Sequence, residues 1–266
     1  MTCSNRLGQY RAFLLDIDGV LVRGGEPIPS ATEAVRALQE RGQVLLLSNN
    51  SSRSRAVVAE HLGKLGFAFE PEAIVLSSYV VARYLLETEG PSKVWTIGEA
   101  GLTKELCLAG HRIVPQEEAN WLVVGVCWNV NYNMFAEALR FLLNGGRYIA
   151  TNTDGTFPTP EGLRPGAGVI VGAIEAMGFY PHVVVGKPSE IAYRIALEQV
   201  QATNDAVLAI GDRLETDILG AQNVKIDSVL VLTGISSKED IKRQGTRPTW
   251  IAVDLPALAR GELQKP

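Results

Sequence analysis

Short, unbroken apolar runs constrain this chain more than any other feature. Ala12-Phe13-Leu14-Leu15, Val44-Leu45-Leu46-Leu47, Ala206-Val207-Leu208-Ala209-Ile210 and Val229-Leu230-Val231-Leu232 show no polar alternation. A strand with one wet face alternates. A strand apolar on both faces belongs inside a parallel sheet covered by helices. Helix signals separate the runs. Ser30 and Glu33 stand at the spacing of a capping box, Val35 and Leu38 supply an apolar face, and Gly42 ends the segment. A second helix is expected from about Arg53 to Leu65, stopping at Gly66, followed by a strand at Ile74-Val75-Leu76.

The last third repeats this grammar. Strands are expected at His182–Val185, Ala206–Ile210, Val229–Leu232 and Trp250–Val253, with helices at Ser189–Gln199 and near Thr216–Ala221. Strand–helix alternation predicts an α/β fold with a Rossmann-like parallel sheet and right-handed crossovers. The middle offers strands at Val94–Ile97, Trp121–Val126 and Tyr148–Ala150. It also offers helices near Leu102–Leu108, Met134–Leu143 and Ala167–Met177, and a turn-rich loop from Thr153 to Gly168. It reads as a second α/β domain inserted into the first, with 1–78 and 181–266 as the core and 79–180 as the insert. Trp95, Trp121 and Trp128 read as part of the insert's apolar core.

Composition narrows the function classes. A net charge of −4, a pI near 5.5 and no long Lys/Arg run argue against a nucleic-acid surface. Cys3, Cys107 and Cys127 are an odd number without a CxxC pair, so neither a disulfide framework nor a zinc site is expected. Met1–Tyr10 lacks an apolar signal core, and no apolar stretch approaches the roughly 18 residues of a membrane helix. The expectation is a soluble cytoplasmic protein with reduced thiols and no membrane or nucleic-acid partner.

Polar groups follow four of the expected strands. Asp16-Ile17-Asp18-Gly19 follows the first, Ser48-Asn49-Asn50 the second, Gly186-Lys187-Pro188 the third and Gly211-Asp212 through Asp217 the fourth. Ligands of open parallel sheets bind at the carboxyl ends of the strands. Carboxylates spaced i and i+2 at such a loop either face water or, if desolvated, need a cation or a proton, and Mg²⁺ takes oxygen ligands. Carboxylates with Mg²⁺, a hydroxyl and one lysine make a phosphate site without a Walker loop. No GxxxxGK[ST] or GxSxG segment is present. His61, His111 and His182 have no obvious nucleophile partner, and His61 and His182 read as structural.

The four segments, in this order, resemble the motifs of the haloacid dehalogenase (HAD) superfamily of phosphohydrolases. Thirty positions separate Asp18 from Ser48, whereas the Ser48–Lys187 interval has room for a cap. With Ser48-Asn49-Asn50-Ser51, Thr151-Asn152-Thr153-Asp154 and Val185-Gly186-Lys187-Pro188, the chain looks like the class IIA, NagD-like group, whose cap is of the C2 type. The resemblance implies a Mg²⁺-dependent phosphomonoesterase acting on small phosphorylated metabolites. Asp16 would be the nucleophile that forms an aspartyl-phosphate, and Asp18 the general acid and then base. Mg²⁺ would be held by Asp16, the backbone carbonyl of Asp18 and Asp212. Ser48 and Lys187 would bind the phosphoryl oxygens, with backbone N–H groups at Asp18, Gly19 and Asn49 completing the cradle. Asp217 would order metal-bound water or Lys187. Arg53 reads either as a phosphate or leaving-group contact or as an exposed first-turn helix residue. Asn152 and Asp154 either line the site or build the turn, the turn being favoured.

Asp18 separates the chain from dehalogenases, which lack that second acid. A phosphomutase, a phosphoaspartate receiver that stops at the acyl-phosphate, and an inactive family member remain as alternatives. The cap is a candidate homodimer surface, and the identity of the phosphorylated substrate is not legible.

Overall fold

The computed structural model describes residues 7–159 and 161–266. Cys3 and most of the polar Met1–Tyr10 segment lie outside the described residues, so the expectations placed on them are not addressed. Cys107 and Cys127 are free thiols.

The first stretch forms β1 (Ala12–Leu15), β2 (Val22–Arg23), β3 (Glu26–Pro27), α1 (Ala31–Gln39), β4 (Gln43–Ser48), α2 (Arg55–Lys64) and β5 (Ile74–Leu76). The middle supplies α3 (Ser77–Glu89), β6 (Lys93–Ile97), α4 (Ala100–Leu108), β7 (Arg112–Ile113), β8 (Trp121–Val124), α5 (Tyr132–Leu143), β9 (Arg147–Ala150), β10 (Thr156–Thr159), β11 (Gly162–Pro165), α6 (Ala167–Glu175) and β12 (Val183–Val184). The last part adds α7 (Glu190–Leu197), β13 (Val207–Gly211), α8 (Leu219–Asn223), β14 (Asp227–Val231), α9 (Lys238–Gln244), β15 (Trp250–Ala252) and α10 (Leu255–Ala259).

Two compact units result. One holds the described residues up to Ser48, Ala59–Val75 and Lys187–Pro266; the other holds Asn49–Val58 and Leu76–Gly186. Residues 49–58 and 76–78, which fall inside the 1–78 stretch, group with the second unit, as do 181–186, whose strand β12 pairs with β9 in the second sheet rather than joining the core sheet.

The first unit is built on a six-stranded sheet in the order β15-β14-β13-β1-β4-β5. β1 runs parallel to both β13 and β4, with Leu15 opposite Ile210 and Leu46. β13 runs parallel to β14, and β14 to β15. The unbroken apolar runs are why: all of β1 and β13, and Val44–Ser48 of β4, are buried. The order turns about β1, with β4 on one side and β13 on the other. That is the switch point at which open α/β sheets bind ligands.

The second unit carries its own parallel sheet, β12-β9-β8-β6-β7. Ile97, Leu122, Val124, Tyr148 and Ala150 of the sheet side pack with Phe141 and Leu142 of α5 and Ile170, Val171 and Ile174 of α6. The chain is therefore α/β, with a Rossmann-like core and an inserted α/β unit.

Several local expectations need correction. Ser30 does not build a capping box. It sits at φ 59 in the left-handed region rather than in the extended conformation of a capping residue, and makes no side-chain cap bond. A reciprocal capping box does form at Ser237 and Asp240. The turn-rich Thr153–Gly168 segment contains the antiparallel hairpin β10–β11. The helix near Thr216–Ala221 is a π-helical turn at Leu214–Ile218 leading into α8. Trp121 is fully buried, but Trp128 is 45% exposed and lies beside Phe157 with ring centroids 5.5 Å apart, because it follows β8 rather than lying in it. His182 packs edge-on against Trp121, and buried His111 bonds Ser92 N–H and the Ala82 carbonyl, so both are structural. No helix of the described residues is long and apolar enough to cross a membrane.

Candidate active site

The carboxyl ends of β1 and β13 bring three carboxylates together. One oxygen each of Asp16, Asp212 and Asp217 lies within 4.8 Å of the others. Asp16 is delivered directly by β1, its N–H donating to Ile210 O at 2.9 Å. Asp212 follows Gly211 at the end of β13. The π-helical turn swings Asp217 back toward that end, and Asp217 Oδ2 accepts from Arg213 N–H at 3.0 Å. Such turns recur at functional sites because the extra residue re-aims a side chain.

Lys187 closes the cluster. Its Nζ donates to Asp16 Oδ1 at 2.9 Å and to Asp217 Oδ1 at 2.6 Å, and the lysine side chain is 4% exposed. Burial alone would push the ammonium pKa down, but Asp16 and Asp217 outweigh it and hold the value above the ordinary lysine range. Buried Tyr193 buttresses the turn by donating to Asp217 O at 2.7 Å.

The charge balance is unequal. Burial, followed by repulsion from Asp217, pushes Asp212 up to about 7. Asp16 is likewise raised, first by burial and then by its acidic neighbours, against the opposing pull of Lys187. Three carboxylates and one ammonium leave surplus negative charge in a poorly solvated place. Asp212 Oδ1 is a buried oxygen with no hydrogen-bond partner. An orphaned carboxylate oxygen among acidic neighbours is the donor set a hard divalent cation fits.

The remaining expected residues are placed as follows. Asp18 is exposed, and Gly19 and Ser48 are buried. Asp18 pairs with Val22 where the β2–β3 hairpin begins. Gly19 has φ +80, and a Cβ there would lie 2.5 Å from Asp212 Oδ2, so only glycine fits. Asn49 and Arg53 lie in the loop after β4, within the second unit. Arg53 is exposed and precedes α2. Its N–H donates to Asn50 Oδ1 and its carbonyl accepts from Ser78 Oγ, so the backbone makes these contacts.

Sequence reasoning missed Thr233–Ser236. Ile235 N–H donates to Asp212 Oδ2 at 2.8 Å, Ser236 N–H to Asp212 O at 3.0 Å, and Thr233 Oγ1 to the Gly19 carbonyl. The signal was available, since Thr-Gly-Ile-Ser follows the apolar run of β14 at the same sheet edge.

Comparison with known proteins agrees with this geometry. Residues 13–112 match a model described as haloacid dehalogenase-like hydrolase, and residues 184–258 match a second HAD-hydrolase-like model. The acid sugar phosphatase of Staphylococcus aureus is 33% identical over 97% of this chain and 99% of its own. The p-nitrophenyl phosphatase from Archaeoglobus fulgidus superposes with a TM-score of 0.88 at 39% identity, covering 94% of this chain and 98% of that one. The glycerol phosphate phosphatase from Mycobacterium tuberculosis, solved in complex with calcium and with magnesium, superposes with a TM-score of 0.87 at 33% identity. In the magnesium complex the match covers 95% of this chain and 78% of that one. With buried carboxylates and a lysine at the switch point of its parallel sheet, the chain belongs to the haloacid dehalogenase-like hydrolases, as a phosphatase of the NagD and 4-nitrophenyl phosphatase family.

Proposed function

We propose that the protein is a Mg²⁺-dependent phosphomonoesterase that works through an aspartyl-phosphate on Asp16. The observation that carries this reading is the buried Lys187 held between Asp16 and Asp217, beside the orphaned oxygen of Asp212. Asp16, Asp212 and the backbone carbonyl of Asp18 are the groups that would hold the metal. Bound Mg²⁺ offsets the repulsion between a carboxylate nucleophile and a phosphate dianion.

The chain's own groups divide the work. Asp16 Oδ attacks phosphorus in line, the bond to the leaving oxygen breaks, and Asp18 gives that oxygen a proton. Asp18, being exposed, can meet both the leaving group and the incoming water. Water then attacks the acyl-phosphate, Asp18 takes its proton, and inorganic phosphate leaves with Asp16 restored. Lys187 and Ser48 bind phosphoryl oxygens, with the backbone N–H group of Asn49 beside Ser48; the Gly19 N–H is already used, donating to Val22 O at 2.7 Å. Asp217 orients Lys187 through the 2.6 Å bond. Transfer of this kind rests on positioning and electrostatics.

Small phosphorylated metabolites are the substrates, with the inserted unit acting as the cap that selects among them. Sugar and polyol phosphates come first in a substrate panel, because relatives are named acid sugar phosphatase and glycerol phosphate phosphatase. The direct test is turnover of 4-nitrophenyl phosphate with Mg²⁺. Asp16→Asn should lower the rate by roughly 10⁴-fold or more. Wild-type turnover by that variant would remove Asp16 from the nucleophile role. An acyl-phosphate that accumulates without phosphate release would point to a receiver.

A further inference from the structure

Two segments of the second unit, the start of α3 and the loop after β9, converge on Asn49, the residue bonded to Ser48. The Asn49 carbonyl accepts from Ser77 Oγ and from Asn152 Nδ2, each at 2.8 Å. Asn49 Nδ2 donates to Asp154 Oδ2 at 3.1 Å. Asn152 is 3% exposed, and its Oδ1 accepts from Asp154 N–H at 3.1 Å. The same cluster meets Gly186, the residue bonded to Lys187. A Cβ at Gly186 would lie 2.4 Å from Thr151 O, 2.7 Å from Asn49 Oδ1 and 3.0 Å from Asn152 Cβ.

A turn built by Asn and Asp needs only local bonds, and the Asn152 Oδ1 contact supplies one. The other polar ends of the pair do something a turn does not require. Asn152 Nδ2 and Asp154 Oδ2 reach back 103 and 105 positions to a single residue. Holding both the carbonyl and the side chain of Asn49 restricts its torsions. With planar peptides, that restricts where the Ser48–Asn49 link points. The close packing at Gly186 restricts the link into Lys187 in the same way.

We propose that Asn152 and Asp154 are positioning residues for phosphate capture, acting through Asn49 on the chain at Ser48 and through Gly186 on the chain at Lys187. This inference rests on the phosphatase reading above. It gives a loop outside the motif set a defined part in the reaction. Their part is to hold two of the segments that bind the phosphoryl group.

The test compares Asp154→Ala, Asp154→Asn, Asn49→Ala and the Asn49→Ala/Asp154→Ala double variant in the full chain. The readouts are kcat and KM for 4-nitrophenyl phosphate with Mg²⁺, affinity for inorganic phosphate by calorimetry, and Tm. Asp154→Ala should weaken phosphate affinity and kcat/KM by about 10-fold, the scale of one hydrogen bond, at near-constant Tm. Asp154→Asn keeps an oxygen acceptor and should stay within about 3-fold of wild type. The double variant should lose no more than Asn49→Ala alone, since the two residues act as one unit.

A lower Tm with unchanged phosphate affinity would reduce the pair to a structural turn and overturn the proposal. So would additive losses in the double variant, or equal losses for Ala and Asn at position 154. If Asp16→Asn keeps turnover, the phosphatase mechanism fails on its own, and the phosphate-affinity comparison still decides the clamp.

Discussion

The two edges of the core sheet carry polar clusters of opposite character. At the amino ends of the strands, Tyr10 OH donates to Asp227 Oδ2 at 2.7 Å and Thr249 Oγ1 to Asp227 Oδ1 at 2.9 Å, while Trp250 Nε1 donates to Tyr10 OH at 3.3 Å. One carboxylate there receives two neutral donors, and each of its oxygens is used. At the carboxyl ends, three carboxylates face one ammonium, and a buried oxygen of Asp212 is left over. The first arrangement is a satisfied network that holds strands together. The second holds more carboxylates than cations and leaves one buried carboxylate oxygen unbonded. Surplus charge, rather than polarity, separates a functional cluster from a structural one.

Three experiments sharpen that contrast. Lys187→Met should have the largest effect. It removes the ammonium from between Asp16 and Asp217, so kcat should fall by about 10²–10³-fold. The remaining carboxylates lose their cation, and breaking a buried pair costs about 3–5 kcal/mol. Denaturant unfolding of the metal-free protein measures that cost. An unchanged midpoint would mean that the carboxylates are balanced by something other than Lys187.

Metal addition comes next. Mg²⁺ at 100 times its Kd should stabilise the wild type by about 2.7 kcal/mol, seen as a rise in Tm. Asp212→Asn should lose most of that rise, because a neutral amide replaces the orphaned carboxylate oxygen. An equal Mg²⁺ response in the variant would place the cation elsewhere.

The amino-end cluster should give the smallest effect, on stability alone. Tyr10→Phe removes two hydrogen bonds and should cost about 1–3 kcal/mol without changing turnover. Burial, reinforced by the bond to Asp227, pushes the Tyr10 hydroxyl up from 10.0 to about 12. The native state therefore binds that proton more tightly than the unfolded state. The resulting stabilisation is complete below pH 10 and is lost as pH rises toward 12. Tyr10→Phe should flatten that alkaline limb, and an identical limb in the variant would assign it to other groups.

Much of the candidate site was legible because parallel strands end where their apolar runs end. Asp16 and Ser48 close such runs directly and Asp212 follows one after Gly211, so reading the runs placed them on one sheet edge. Asp217 was reachable through its spacing from Asp212, although the π-helical turn that brings it back was not. The Thr233–Ser236 brace was missed for the opposite reason. Its contacts to Asp212 and Gly19 are made mostly by backbone groups, which every residue has, so its position after the β14 run is the signal and side-chain identity adds little. Trp128 was misread because an apolar side chain one turn beyond a strand looks like its continuation. Asn152 and Asp154 were favoured as turn formers, and locally they are. Their second role depends on partners over a hundred positions away.

By itself, the amino-acid sequence determined the α/β class, the inserted unit and the chemical types gathered at the strand ends. Those follow from local periodicity and from the rule that parallel strands align their carboxyl ends. Only the tertiary structure decided how the charges divide, with Lys187 bonded to Asp16 and Asp217 and one buried Asp212 oxygen left without a hydrogen-bond partner. It also decided that Asn49 is held by Asn152 and Asp154. Both outcomes depend on long-range distances and burial, which set the strength of a charge or hydrogen bond and leave no pattern in neighbouring residues.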